Sequence, residues 1–170
     1  MILTAGNAAL LNSIGLGVIT LLQHPDQLAE FKRDDSSAPT VVNELLRFNT
    51  VSALNSRHAT KKLVRIGTQQ IEENIGVICS VQSGDRDRLG DETDPESFDL
   101  HQKRDPRSVL AFGYGPHRCQ AETLSRVGLE IAFTTLFRRL PDLRLARDVD
   151  ELEYPPAEQN SGVLTLPVLF

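Results

Sequence analysis

Residues 111–119 read AFGYGPHRC, a glycine-punctuated loop that ends on a cysteine, and the helical pattern QAETLSRVGLEIAFTTLF follows at once. Gly113 and Gly115 can adopt backbone conformations and close approaches that a Cβ atom forbids, so the loop can fold tightly beneath a flat ligand. Cys119 lies near the predicted helix N-terminus, where unpaired N–H groups and the positive end of the helix dipole favour an ionised sulfur. The loop therefore predicts a single thiolate metal ligand.

A structural cysteine in a glycine-rich turn is the alternative interpretation of Cys119. The second cysteine, Cys79, lies in the apolar run IGVICSV, which predicts a buried strand. The two thiols could in principle pair, but no cleavable signal with a basic leading region precedes them. We therefore expect a reduced, soluble protein of the cytoplasm or a mitochondrion, without a signal peptide.

Composition limits the class of protein. The chain has 170 residues, 40% of them hydrophobic, and a net charge of −5, which fits one cored domain and argues against a nucleic-acid partner. Residues 1–23 carry no charge, so by length alone they are a candidate membrane span. Interspersed asparagines and glycines, and an end at His24-Pro25, favour instead the buried helix of a globular domain.

The hydrophobic periodicity predicts a mainly α-helical fold with small β-sheets. Helices are predicted over residues 10–22 and 25–31, from Pro39 onward, and over 122–140. Strand-like patterns cover residues 63–66, 70–71 and 76–81, interpreted as a hairpin, and 162–170, interpreted as a final strand. Residues 84–107 form a long charged connection, and loops of this length in compact domains are usually functional.

Glu44 and Arg47 stand three residues apart, which places both charges on one face of the third helix. A surface ion pair is the default interpretation of this spacing and contributes little to stability. The flanking residues are apolar, however, so a partly buried pair is the other possibility. In a buried pair, loss of one partner would cost about 3–5 kcal/mol.

The cysteine loop resembles the haem-binding loop of the cytochrome P450 superfamily, whose pattern is F-G-x-G-x-H-x-C-x-G. Phe112, Gly113, Gly115, His117 and Cys119 match it, whereas Ala121 replaces the last glycine. The resemblance implies that Cys119 is the axial ligand of haem b (heme b, iron protoporphyrin IX). It also implies that Phe112, Gly113 and His117 contribute to the cofactor site, His117 as a donor to a haem propionate.

Two further motifs support the same resemblance. Glu44 and Arg47 match its E-x-x-R motif, which is implied to lock together with a basic residue of the following meander. Position 102 is glutamine, so Lys103 or Arg104 would have to take that role. Residues 52–60 resemble the R-x-A-T strand, in which either Arg57 or His58 would bind a propionate.

The whole chain resembles the fungal nitric oxide reductase branch of this superfamily. The residues that carry the likeness are AGNA at 5–8, the run NSIGLGVITLLQHPDQLA, TVSAL at 50–54, HRCQAETL at 117–124 and the final LPVLF. The branch implies electrons taken directly from NADH or NADPH, with no separate reductase, and conversion of nitric oxide to nitrous oxide. Ser52, Asn7 and Asn160 are the candidate catalytic residues of a distal proton path. Ala9 and Asn160 stand where a threonine and an aspartate are expected.

The resemblance places residues 1–170 in the C-terminal part of a single cytochrome P450 domain, with the N-terminal part missing. We therefore expect the isolated chain to bind haem weakly or to expose a large apolar surface. A monooxygenase acting on a small organic substrate is the alternative function, and an inactive truncated fragment is the alternative outside enzymes.

Overall fold

The computed structural model describes residues 2–87, 94–102, 104–156 and 160–170, with side chains described from residue 6 onward. Within these ranges the α-helices are α1 (Ile2–Gln23), α2 (Pro25–Arg33), α3 (Ala38–Asn49), α4 (Val81–Asp85) and α5 (Glu122–Arg139). The strands are β1 (Leu54–His58), β2 (Leu63–Ile66), β3 (Gln69–Glu72), β4 (Gly76–Ser80), β5 (Arg144–Leu145) and β6 (Val168–Leu169). The prediction of a mainly α-helical fold with small sheets is confirmed.

The local sequence explains where the first helices begin and end. Pro25 starts α2 at a position where its missing N–H costs nothing, and Asp26 in the first turn complements the helix dipole. Lys32 and Arg33 in the last turn complement the opposite end. A proline in the first turn likewise starts α3.

The core forms where α1, α3 and α5 pack together. Its fully buried side chains include Leu21, Val41 and Phe133. At the crossing of α1 and α5, a Cβ atom at Gly17 would overlap the ring of Phe133. A glycine is therefore required there for the two helices to approach this closely.

α1 contains most of the uncharged segment that is a candidate membrane span by its length. Its segment 6–23, with a mean hydropathy of 1.3, is the one described helical stretch long and apolar enough to cross a membrane by length and composition. Core helices of globular domains pass the same test. The second half of α1 has this role, because Val18, Ile19 and Leu21 are buried in the core.

The strands form three two-stranded antiparallel sheets, which differ from the expectation in two respects. β2 and β3 form the predicted hairpin around Gly67 (φ 58°), but β4 pairs with β1 rather than with β3. The final strand is limited to Val168–Leu169, paired with β5, instead of spanning 162–170. Periodicity alone does not identify a strand's partner, because the pairing depends on residues distant in sequence.

Cys79 does not occupy a buried strand, and that prediction was wrong. It lies in β4 opposite Asn55, and both it and its neighbour Ile78 are exposed. A sheet of two strands buries an apolar face only when another layer covers it.

α5 carries apolar side chains on two faces. Leu129, Phe133 and Phe137 repeat at four-residue spacing and are buried in the core. A second set, Leu124, Val127 and Ile131, lies on the other side and is 47–72% exposed. We call this second set the outer stripe of α5.

Candidate functional site

The cysteine loop is a tight turn closed by its own backbone. Leu110–Phe112 form a 3-10 turn that ends when Gly113 N–H donates to Leu110 O at 2.7 Å. Gly113 and Gly115 have φ values of 77° and 86°, which favour glycine strongly. Cys119 N–H then donates to Phe112 O at 2.9 Å, so the cysteine is held beside the start of the loop.

The thiol of Cys119 is exposed, three residues before α5 begins. A Cβ atom built on Gly113 or Gly115 would meet nothing within 4 Å, so the loop presents side-chain-free backbone to open space. His117 is exposed and Phe112 is half-buried. A flat ligand has room over this loop, with the sulfur directly accessible to it.

An ion-pair ladder joins the loop to α5. Arg118 donates to both carboxylate oxygens of Glu122, at 2.6 and 2.8 Å, and to Gly113 O at 2.7 Å. Arg126 donates to Glu122 Oε1 at 3.0 Å and lies over the Phe112 ring at 5.2 Å. The hydrogen bond from Arg118, and then that from Arg126, hold the pKa of Glu122 below its usual value. In turn, the hydrogen bond to Glu122 raises the pKa of Arg118.

This ladder was not predicted from the sequence. Arg118, Glu122 and Arg126 follow one another at four-residue spacing, with charges of alternating sign, which is the signal that could have identified it.

Glu44 and Arg47 form a buried pair, as the apolar flanks suggested. Their side chains are 2% and 0% exposed, and Arg47 donates to the two Glu44 oxygens at 2.7 and 2.6 Å. Arg47 also donates to Pro95 O and Ser97 O at 2.7 and 2.8 Å. The pair therefore fixes the described part of the long connection against α3.

Lys103 or Arg104 was the basic residue expected to join this pair. Arg104 is buried and donates to the carbonyl oxygens of Asp85 and Asp87, at 2.9 and 3.1 Å, while Lys103 lies outside the described residues. Gln102 is buried too, and neither atom of its side-chain amide has a hydrogen-bond partner in the described structure.

The two candidates for binding a propionate lie side by side on β1. Arg57 and His58 are both exposed and pair with Val77 and Gly76 across the sheet. Adjacent residues of a strand point to opposite faces, so only one of them can reach a ligand on a given side. Arg57 shares its face with half-buried Asn55.

The three distal candidates lie in separate segments, and the structure brings two of them near each other. Ser161 N–H donates to Val51 O at 2.8 Å, which places Asn160 and Ser52 beside one hydrogen-bonded pair. Asn7 lies on α1, and all three side chains are exposed. Asn12 of α1 packs its side-chain amide so closely on Gly162 that a Cβ atom there would overlap it, which holds the segment of Asn160 near α1.

Comparison with known proteins decides the family. A family model described as Cytochrome P450 matches residues 38–167. The chain belongs to the cytochrome P450 family. It is 44% identical over 168 residues to Cytochrome P450 55A3 of Fusarium lichenicola, and 40% identical over 170 residues to pentalenic acid synthase of Streptomyces avermitilis.

Solved cytochrome P450 structures show the same fold. The crystal structure of cytochrome P450 MoxA from Nonomuraea recticatena superposes with a TM-score of 0.86 at 40% identity, covering 95% of this chain and 40% of that one. The alignments to the two sequence relatives cover 99% and 100% of this chain. The chain spans about two fifths (41%) of the length of these relatives.

The cytochrome P450 family implies haem, and the donor groups of this chain fit it. Among the residues that the structure describes, no group of three or more His, Cys, Asp or Glu side chains could hold a metal ion. A metal bound at Cys119 would therefore bring its other ligands with it, as a haem iron does. The exposed thiol and the side-chain-free glycine loop meet this requirement, and Cys119, Phe112, Gly113 and His117 would contact the cofactor.

Proposed function

We propose that this chain is the C-terminal part of a single cytochrome P450 domain, and that it supports a haem-thiolate oxidoreductase. The observation that carries the proposal is the exposed Cys119, held by Phe112 O and by the Arg118 ladder. When bound, haem would supply redox chemistry at its iron, made electron-rich by the thiolate. The chain's own residues would hold and orient that group.

The reaction we propose is the NADH- or NADPH-dependent reduction of nitric oxide to nitrous oxide. Two nitric oxide molecules, one reduced nicotinamide and one proton give nitrous oxide, water and oxidised nicotinamide. The sequence AGNAA at residues 5–9 supports this choice, since it lacks the acid and alcohol with which oxygen-activating members deliver protons. Reduction of nitric oxide does not require that pair, and no separate reductase is proposed.

Ser52, Asn160 and Asn7 are the proposed groups for delivering the proton. The hydrogen bond between Ser161 and Val51 supports joint action of Ser52 and Asn160, because it brings their segments together. His117, with Arg57 or His58, is proposed to bind the haem propionates.

The second candidate is a monooxygenase acting on a small organic molecule. It is favoured by one relative, the mycinamicin VIII C21 methyl hydroxylase of Micromonospora griseorubida, which is 38% identical over 165 residues. By its name that protein hydroxylates a methyl group. Consumption of NADPH that needs an organic substrate and redox partner proteins, and ignores nitric oxide, would favour this candidate.

The first experiment is a reduced, carbon-monoxide difference spectrum of the purified chain supplied with haemin. We expect a thiolate-type Soret band that disappears in Cys119→Ser and remains in the control Cys79→Ser. NADH oxidation on addition of nitric oxide, without partner proteins, then tests the reaction. A band unaffected by Cys119→Ser would contradict the assigned ligand.

A further inference from the structure

Asp85, at the end of α4, is the most completely buried acidic residue of the described structure, with 0% exposure. Each of its carboxylate oxygens accepts one hydrogen bond. Oδ1 accepts from Leu110 N–H at 2.7 Å, and Oδ2 accepts from the Thr50 hydroxyl at 2.9 Å. A single side chain thus connects the residue after α3 to the first residue of the turn that opens the cysteine loop.

The backbone around Asp85 is held from the opposite side. Its carbonyl oxygen accepts hydrogen bonds from Arg104 and Arg47, at 2.9 and 3.3 Å. α4 also packs tightly on the turn, because a Cβ atom at Gly84 would lie 2.8 Å from the Leu110 side chain. These contacts fix the position of Asp85 independently of its hydrogen bond to Leu110 N–H.

Two backbone hydrogen bonds link the turn that begins at Leu110 to the residue that bears the thiol. Leu110 O accepts from Gly113 N–H at 2.7 Å, and Phe112 O accepts from Cys119 N–H at 2.9 Å. The Arg118 ladder ties the loop to α5, and Arg126 at its far end donates to Asn43 Oδ1 of α3 at 3.1 Å. Asp85 supplies a separate attachment, which acts directly on the backbone where the cysteine loop begins.

We propose that Asp85 is a positioning residue that sets the location of the Cys119 thiolate by holding Leu110 N–H against α3. This inference rests on the haem-thiolate function proposed above. The hydrogen bond is of the charge-assisted kind, which is stronger than a neutral one. Arg47 and Arg104 on one side and Arg118 of the loop face this carboxylate with opposite charge.

Three substitutions separate positioning from general stability. Asp85→Leu removes both acceptors at similar volume. Asp85→Asn keeps an acceptor for Leu110 N–H, and its amide can donate to the Thr50 oxygen, whose hydroxyl then donates to Arg47 O at 3.0 Å. Thr50→Val removes the other bond and leaves Leu110 held.

The first measurement uses the chain without haem and follows amide hydrogen exchange at Leu110, Gly113 and Cys119. We expect exchange at all three to rise about tenfold or more in Asp85→Leu, the size expected for losing a hydrogen bond to a charged group. Asp85→Asn and Thr50→Val should keep the protection of these amides relative to the core. Should Asp85→Leu not fold, Asp85→Ser is the substitute, because the shorter serine side chain cannot reach Leu110 N–H either.

The second measurement is the carbon-monoxide difference spectrum of the haem-loaded variants. Asp85→Leu should shift the haem population from the thiolate-type band to the thiol-type band, while Asp85→Asn restores the thiolate type. Protected Gly113 and Cys119 amides in Asp85→Leu, or their loss of protection in Asp85→Asn, would overturn the inference. A missing thiolate band in the unmodified chain would count against the haem function alone, since hydrogen exchange still tests the attachment.

Discussion

Arg118 and Glu122 are joined by two hydrogen bonds across one turn, and through them the residue before the candidate ligand is fixed to α5. The two side chains are 24% and 21% exposed, so solvent screens the pair only in part. Because Arg118 also donates to Gly113 O, the pair controls the shape of the glycine loop as well as its attachment. Charge at this point is therefore coupled to the geometry of the thiol.

Glu122→Gln should lower stability in a pH-dependent way. The folded state holds the pKa of Glu122 below its usual value of 4.5, so the carboxylate stabilises the fold above that value. This contribution, about 1 kcal/mol for a partly exposed pair, disappears as the pH falls through the lowered folded pKa. Chemical unfolding at neutral pH and at low pH measures it, with exposed Glu73→Gln as the control. An equal effect at both pH values would contradict the assignment.

The pH dependence of stability contributed by Asp85 should be opposite to that of Glu122. Burial raises its pKa above 3.8, against the hydrogen bonds from Leu110 and Thr50 and the charges of Arg104 and Arg47. The folded chain thus binds this proton more readily than the unfolded chain, and the group's contribution to stability declines as the pH rises through the raised value. Asp85→Asn lacks this decline, so its free energy of unfolding should gain on that of the unmodified chain between acidic and neutral pH. A constant difference would refute the sign.

Arg47→Met should be severely destabilising. It leaves the Glu44 carboxylate buried without its partner, which costs about 3–5 kcal/mol, and it releases the carbonyl groups of Pro95 and Ser97. Urea unfolding measures the loss. Glu96→Gln is the matched control, because its pair with Arg86 has a carboxylate that is 65% exposed, and should cost at most about 1 kcal/mol. Comparable costs for the two variants would show that the buried pair is not what holds the long connection.

Gln102→Met should stabilise the chain. Both polar atoms of this buried amide lack partners in the described structure, and removing an unsatisfied buried group recovers about 1 kcal/mol or more. The same substitution at Gln27 should be destabilising, because the Gln27 amide donates to Phe98 O at 3.0 Å and accepts from Leu100 N–H at 2.9 Å. Thermal unfolding of the two variants should therefore move in opposite directions.

Local sequence signals predicted part of this architecture. The helical pattern of residues 122–140 predicted α5, and the glycine spacing predicted the cysteine loop, because both depend on neighbours in the chain. The apolar flanks of Glu44 and Arg47 indicated burial as one of two possibilities, and the structure has the pair buried.

What the sequence did not predict depends on distant contacts. The hydrogen bond between Asp85 and Leu110 joins residues 25 positions apart, and the spacing of apolar residues along the chain does not predict such a contact. The exposure of Cys79 depends on whether a further layer covers β1 and β4, which an apolar run does not reveal.

The outer stripe of α5 determines how a solution of this chain behaves. Leu124, Val127 and Ile131 present hydrocarbon to water along one side of a rigid helix, so two chains gain free energy by covering each other's stripes. Apparent molecular mass in light scattering should therefore rise with protein concentration, and rise further with ammonium sulfate, which strengthens apolar association. A mild detergent should reverse the effect. Spectra and unfolding curves of the chain will consequently depend on the concentration at which they are recorded.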